Sequence, residues 1–226
     1  MKRIKLAVGS IAAIVLTLLP LDAGMAANTP TLNQTINNGV LSTDILDASK
    51  VTVGSPSASM SAKTLSFSCQ SGGSASTGTL GSTSQRLYVI NPGGADNGWT
   101  LTMAATSGPT TTWTSGGNGI DFNDPTTSGC TDGADADTKS GQLTVDPSVG
   151  TLTADCVSCT TANVSKGSST AFSQGTTDSI TLLNAALASD NVWQGYLTGM
   201  GLSQVIPAET PAGTYTLNMT LTATAS

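Results

Sequence analysis

Apolar and polar residues alternate regularly over the last part of the chain. The apolar positions of this segment are Tyr215, Leu217, Met219, Leu221 and Ala223, and the residues between them are threonine and asparagine. Because successive side chains of an extended chain point to opposite faces, this pattern predicts a strand with one buried and one solvent-facing side. A strand of this length has to pair within a sheet, so the upstream chain is expected to supply its neighbours and the facing half of a core.

Shorter runs of the same character predict further strands upstream, separated by stretches rich in glycine, serine, threonine and asparagine. They cover residues 64–69, 86–90, 98–103, 142–145, 150–153, 177–183, 192–197 and 202–206. The turn-forming residues 91–94 lie between the second and third of these runs and predict a hairpin-like unit. Residues 184–188 are interpreted as a single helical turn. Many short strands joined by turns indicate an all-β fold, mainly an antiparallel β-sandwich.

Residues 1–26 have the three parts of a secretory signal. Basic residues come first, an apolar run follows from residue 6 to residue 19, and Gly24 and Ala26 supply a small-residue cleavage site. The apolar run is too short to span a bilayer as a helix, so we expect cleavage and no membrane insertion afterwards. The mature protein is expected to be secreted and held at a cell surface or cell wall without a covalent link.

The mature chain divides into two predicted parts. Residues 27–63 carry short apolar islands in a polar background and predict N-terminal strands or an extended arm. Residues 64–226 predict the β-sandwich domain, interrupted at about residues 107–166 by a long loop insertion that holds three of the four cysteines. A loop region of this length inside a compact domain is usually functional or cross-linked.

Charge and composition exclude several classes of function. The net charge is -6, and without residues 1–26 the chain keeps five basic and thirteen acidic residues. Nucleic acid and anionic lipid surfaces are therefore poor partners, because both require clustered lysine and arginine. The chain has no histidine and no Gly-x-Ser-x-Gly elbow, so the commonest general base and the serine hydrolase arrangement are missing. We expect no catalytic residues and no enzymatic activity.

Four cysteines in an exported chain predict two disulfides. The four are Cys69, Cys130, Cys156 and Cys159, and three pairings remain open. A redox-active Cys-x-x-Cys site would need a βαβ setting, and a four-thiolate zinc site would need a second close pair. Disulfides that tie the long insertion to the sandwich are the expected role.

The insertion is also rich in oxygen ligands of the kind that calcium prefers. The candidates are Asp121, Asn123, Asp124, Asp132, Asp135 and Asp137. Their spacing does not match an EF-hand loop, because Lys139 stands where a further ligand is needed. The alternative is a solvated acidic loop that keeps a polar surface soluble. The cofactor prediction is accordingly none, or calcium bound to this loop.

Three residues are candidates for a binding surface: Trp99, Leu101 and Trp113. Flat aromatic rings stack on sugar faces, which makes the tryptophans candidates for polymer binding. A tryptophan in an alternating strand is more often a core residue, and this applies to Trp99. Trp113 stands among threonine, serine and glycine, where exposure is expected.

The run Gly98-Trp99-Thr100-Leu101-Thr102 resembles the first signature of the WxL-domain surface proteins of Gram-positive bacteria. The segment from Pro207 to Tyr215 is similar to the approach to that family's C-terminal strand. The resemblance implies a secreted β-sandwich-like domain that attaches non-covalently to peptidoglycan and takes part in adhesion. The family's second Trp-x-Leu is replaced here by Met219-Thr220-Leu221. Expected partners are a cell-wall polymer, other surface proteins or further copies of the chain.

Two alternatives remain open. The closing Gly213-Thr214-Tyr215 and the alternation after it also resemble subunits of the spore coat protein U and chaperone-usher pilin type, which implies assembly by strand exchange with the N-terminal arm as donor. The second alternative is a calcium-stabilised carbohydrate-binding module.

Overall fold

A computed structural model describes residues 33–95, 97–133, 136–187 and 192–226 of the chain. The predicted signal segment, residues 1–26, lies outside the described residues, and so does the candidate ligand Asp135. Residues 37–226 form one compact unit. The fold is all-β, as the alternation patterns predict, and the described helical residues are confined to short 3₁₀ turns at Gly72–Ser74, Thr126–Gly129 and Pro147–Val149.

The described part of the chain contains fourteen strands. They are β1 (Ser42–Leu46), β2 (Ser76–Leu80), β3 (Arg86–Pro92), β4 (Trp99–Ala105), β5 (Trp113–Ser115), β6 (Asn118–Ile120), β7 (Leu143–Asp146), β8 (Thr151–Ala154), β9 (Val164–Lys166), β10 (Thr170–Ala171), β11 (Ser179–Ala185), β12 (Val192–Thr198), β13 (Met200–Gln204) and β14 (Met219–Ala225).

These strands form three four-stranded antiparallel sheets and one two-stranded ribbon, an arrangement consistent with a β-sandwich. The first sheet has the order β1-β3-β12-β8, the second sheet β10-β7-β13-β2, and the third sheet β14-β4-β11-β9. The ribbon consists of β5 and β6. Strands β7, β8 and β9 come from the predicted insertion, and each belongs to a different one of the three four-stranded sheets.

The first and second sheets are connected through a bend at Gly199. Only this residue separates β12 from β13, and its φ of 74° lies in the left-handed region that favours glycine. The backbone N–H of Gly199 donates to the carbonyl of Gly81 at 3.0 Å, between β2 and β3. One long stretch of chain therefore contributes strands to two sheets, and β13 ends at Gln204, which lines the candidate site.

The core is built from the alternating apolar residues of the central strands. Trp99 of β4 packs against Trp193 of β12 with their ring centroids 5.1 Å apart, which joins the third sheet to the first. Phe122 and Phe172 form a second ring pair with centroids 5.1 Å apart. Leu101 and Met103 follow Trp99 on the buried face of β4. The periodicity of residues 98–103 thus predicts the correct buried face.

Residues 64–69 are not a strand, so that prediction is wrong. Phe67, an apolar residue of this segment, is 83% exposed. The Ser66 carbonyl accepts from the N–H of Glu209 at 2.7 Å, and the Ser66 hydroxyl accepts from the N–H of Ser68 at 3.0 Å. These two bonds, one local and one to a segment distant in sequence, hold residues 64–69 in an irregular conformation, and no strand ladder forms along them.

The hairpin predicted around residues 91–94 is also wrong, because β3 and β4 lie in different sheets. The side chain of Asn91 accepts from the N–H of Ala95 at 3.0 Å and donates to its carbonyl at 3.3 Å. This buried asparagine fixes a turn that directs the chain from the first sheet to the third. The predicted helical turn at residues 184–188 is wrong at its start, since Asn184 and Ala185 belong to β11.

The closing strand is shorter than predicted. It alternates as expected from Met219 to Ala223, with half-buried apolar residues and exposed threonines between them. Thr216 instead exchanges two 3.0 Å backbone hydrogen bonds with Thr114 of β5. The segment before β14 therefore pairs with the ribbon and not with the third sheet, and this change of partner helps to form the candidate site.

Candidate binding groove

A groove with a volume of about 540 Å³ lies between two irregular segments of the chain. Residues 58–66 form one wall, and residues 206–216 contribute the other. Trp113, Ile120 and Gln204 line the groove between these walls. We call this site the Trp113 groove. Its volume is within the range of about 300 to 1,000 Å³ that is usual for ligand pockets.

Trp113 is held in place by a buried glutamine. Its indole nitrogen donates to Oε1 of Gln204 at 2.8 Å. The amide nitrogen of Gln204 donates to the carbonyl groups of Asp121 and Val205, both at 2.9 Å, and the side chain is only 2% exposed. With both ends of its amide engaged, Gln204 fixes the orientation of a half-buried indole in the groove.

The first wall is attached to the edge of β2. The N–H of Ser61 donates to the carbonyl of Thr77 at 2.6 Å, and the hydroxyl of Ser76 donates to the Ser61 carbonyl at 2.6 Å. Further along, the side-chain amide of Gln70 donates to the carbonyl of Thr64 at 2.9 Å. These bonds give an irregular, serine-rich segment a fixed position.

The second wall is a turn-rich segment closed by its own side chains. The hydroxyl of Tyr215 donates to the carbonyl of Pro211 at 2.8 Å, and partial burial raises the pKa of this phenol. The hydroxyl of Thr210 donates to the carbonyl of Pro207 at 2.8 Å. Tyr215 therefore stays neutral at physiological pH, and like Trp113 it contributes an aromatic side chain to the lining of the groove.

The lining of the groove is nearly uncharged. Among the described lining residues Lys63 is the single charged side chain, and the others are small, apolar, aromatic, amide or hydroxyl residues. No carboxylate is among the described residues that line the groove. An aromatic surface combined with a few polar groups is suited to binding a polar, largely neutral ligand.

The three candidate binding residues are separated by the fold. Trp99 and Leu101 are 0% exposed and lie in the core. They therefore support the sandwich and offer no side-chain surface to a ligand. Of the three candidates, only Trp113 lines the groove. The predictions did not include Gln204 or Tyr215 as groove residues, because neither the spacing nor the composition around them indicates a site.

The candidate calcium ligands are used mainly to stabilise loop backbone. Asp124 is fully buried, and its two oxygens accept from the N–H groups of Thr126 at 2.8 Å and Gly133 at 3.0 Å. Oδ1 of Asp121 accepts from the N–H of Phe122 at 2.6 Å, and the buried Asn123 donates to the carbonyl of Pro109 at 2.9 Å.

The other two candidates within the described residues, Asp132 and Asp137, are less buried. Oδ1 of Asp137 accepts from the N–H of Lys139 at 2.7 Å, and Asp132 is exposed. Asp121, Asn123 and Asp124 are buried, so this part of the loop is packed and not solvated. The described residues contain no group of three or more acidic, cysteine or histidine side chains placed to hold a metal ion. Calcium binding stays a prediction.

The prediction of two disulfides is confirmed. Cys69 pairs with Cys130 over a sequence separation of 61, and Cys156 pairs with Cys159 over a separation of 3. The first disulfide ties the predicted insertion to the segment that precedes Gln70 in the groove, as expected. The second closes a local loop and ties no distant segments together.

A second polar cluster, on the outer face of the first sheet, was not predicted. The hydroxyl of Tyr88 donates to Oδ2 of Asp155 at 2.6 Å, and Nζ of Lys50 lies 3.1 Å from the same oxygen. The hydrogen bond from Tyr88 is the main cause that lowers the pKa of Asp155, with Lys50 adding to it. Arg86 lies over the ring of Tyr196, 4.6 Å from its centroid. The cluster fastens the loop after β1 to the end of β8.

Comparisons of the chain with models of known protein families, with curated proteins and with solved structures gave no match. The resemblance to WxL-domain proteins stays a prediction that rests on the residues that suggested it. None of the described residues belongs to a helix that is long and apolar enough to cross a membrane.

Proposed function

We propose that this chain is an exported structural and adhesive β-domain that binds a cell-wall polymer of the peptidoglycan type at a cell surface. The observation that carries the proposal is the Trp113 groove, in which Gln204 fixes a tryptophan beside hydroxyl-bearing walls. A fixed aromatic ring offers a flat apolar surface to a sugar face, and serine and threonine hydroxyls can exchange hydrogen bonds with sugar hydroxyls. The near absence of charge suits a neutral glycan backbone.

The scaffold supports the same function. Cys69 precedes the groove residue Gln70 and is joined to Cys130, so the disulfide restrains the first wall against separation from the rest of the domain. Disulfides persist in oxidising compartments outside the cell, which agrees with the predicted secretory signal. The disulfide joins two irregular segments outside the sheets and helps to hold the binding residues in place before the ligand arrives.

Because the groove carries little charge, we expect ligand binding there to depend little on ionic strength. Attraction between exposed charges is screened by salt, whereas stacking and hydrogen bonding in a groove are much less affected. Purified mature protein should therefore co-sediment with purified peptidoglycan to a similar extent at low and high ionic strength. Binding that disappears at high salt would indicate a charged site elsewhere on the protein, and failure to co-sediment at every salt concentration would remove the proposal.

A further inference from the structure

The outer edge of β14 differs from the other sheet edges of the described fold. Strands β8, β9 and β10 have four, three and two residues. The β2 edge is covered where Met60 bridges to Gly78, and the β1 edge is covered where the N–H of Val53 donates to Ile45. Strand β14 has seven residues with no charge and no proline; β1 of the first sheet lies near it, but no described segment forms a ladder with its outer edge. Such edges are templates for pairing with another chain.

Hydrogen bonds at the two ends of β14 show which residues face outward. The N–H of Thr106 donates to the carbonyl of Asn218, and the N–H of Ser226 donates to the carbonyl of Gly98, both at 3.0 Å. In an antiparallel pair the bonded positions alternate, so the residues of β14 that bond to β4 are the even-numbered threonines. The outward N–H and carbonyl groups therefore belong to the odd-numbered residues, which are Met219, Leu221, Ala223 and Ala225.

This arrangement is complementary to itself. If two copies of β14 run antiparallel about a twofold axis through Thr222, Leu221 meets Ala223 of the second copy and Met219 meets Ala225. All of these are outward-bonding residues, so each facing pair exchanges two backbone hydrogen bonds. Each such pair also places a large side chain opposite a small one on the half-buried face. On the other face threonine meets threonine, a favourable cross-strand pair.

We infer that β14 is a docking edge for β14 of a second copy of this chain, which joins the two third sheets into one continuous sheet. The interface is isologous, because the same strand is used on both sides, and it closes as a dimer. Met219, Leu221 and Ala223 already pack against the core, so the second copy extends that core across the twofold axis. The inference is independent of the Trp113 groove and of what the groove binds.

The test uses the mature chain and two matched lysine variants. Thr222→Lys places two like charges opposite each other at the axis, whereas Thr181→Lys puts the same charge on an exposed residue of β11, two strands inward in the same sheet. We expect sedimentation equilibrium to show a concentration-dependent dimer for wild type and Thr181→Lys, and a monomer for Thr222→Lys. Monomeric wild type up to its solubility limit, or equal behaviour of the two variants, would overturn the inference.

A measurement on the unaltered protein keeps the test valid if Thr222→Lys fails to fold. The backbone N–H groups of Leu221 and Ala223 should exchange with solvent more slowly as protein concentration rises, while that of Ser179 at the start of β11 should not change with concentration. Open polymers that disappear when residues 27–36, the first part of the predicted arm at residues 27–63, are deleted would instead show strand exchange by that part of the arm, and would overturn the β14 dimer.

Discussion

The indole nitrogen of Trp113 donates a hydrogen bond of 2.8 Å to Oε1 of Gln204, a residue that is 91 positions away in sequence and only 2% exposed. The bond connects the β5-β6 ribbon to the end of β13. It therefore joins two elements that hydrogen-bond within separate sheets, and it fixes the aromatic surface of the groove. Its loss should be measurable both in stability and in binding.

Replacing Trp113 with phenylalanine should lower the free energy of unfolding by about 1 to 3 kcal/mol, because it leaves the buried Oε1 of Gln204 without its donor. Denaturant unfolding measures this change. Phe67→Ala is the control, since Phe67 is 83% exposed and such surface changes usually alter stability by less than about 0.5 kcal/mol. Equal midpoints for the two variants would show that the Trp113 to Gln204 bond does not contribute to stability.

The two disulfides should contribute unequally to stability. Loop-closure entropy predicts about 4 kcal/mol for a loop the size of that closed by Cys69 and Cys130, whose separation is 61, and about 2 kcal/mol for Cys156 and Cys159, whose separation is 3. Replacing each pair with serine while keeping the other pair, followed by denaturant unfolding, measures both values. A larger loss on removing the Cys156 to Cys159 disulfide would contradict the loop-length account.

The stability of the first sheet should depend on pH through Asp155. The pKa of Asp155 is lowered, chiefly by the hydrogen bond from Tyr88. The ionised carboxylate therefore contributes fully to the free energy of unfolding above the ordinary carboxyl pKa of about 4, and this contribution is lost as pH falls through the lowered pKa. Asp155→Asn should flatten the fall in unfolding free energy below about pH 4.

Tyr88→Phe should reproduce much of this flattening, because it removes the main cause of the lowered pKa. Lys50→Met should have a smaller effect, since Lys50 contributes less and both members of the Lys50–Asp155 ion pair are partly exposed. Unfolding midpoints measured across the acid range distinguish the three variants. Identical pH profiles for wild type and Asp155→Asn would refute the role of this carboxylate.

The sequence predicts the strands well where burial follows a period of two. In β4 the residues Trp99, Leu101 and Met103 alternate with threonines, and the structure buries that face against the first sheet. The same alternation at residues 64–69 is misleading, because Phe67 finds no facing sheet there. Local pattern indicates that a segment can form a strand, whereas the hydrogen bonds of distant segments decide whether it does.

The groove could not be predicted in the same way. It combines residues 58–66, Trp113, Gln204 and residues 206–216, which are distant in sequence and mostly irregular in structure. The apolar and aromatic composition suggested Trp113 as a binding residue but gave no reason to place Tyr215 in the same groove. Similarly, the acidic spacing gave no sign that Asp124 would be buried to bond loop backbone. These placements depend on tertiary contacts.

The most direct test of cell-wall binding is the affinity of Trp113→Ala and Phe67→Ala for purified peptidoglycan, measured by co-sedimentation of folded protein. Removing a central aromatic anchor from a groove typically costs at least about 2 kcal/mol, and each 1.4 kcal/mol is tenfold in affinity. Trp113→Ala should therefore bind at least about tenfold more weakly than wild type, while Phe67→Ala, which lies outside the groove lining, should bind like wild type. Wild-type affinity in Trp113→Ala would contradict the proposed site.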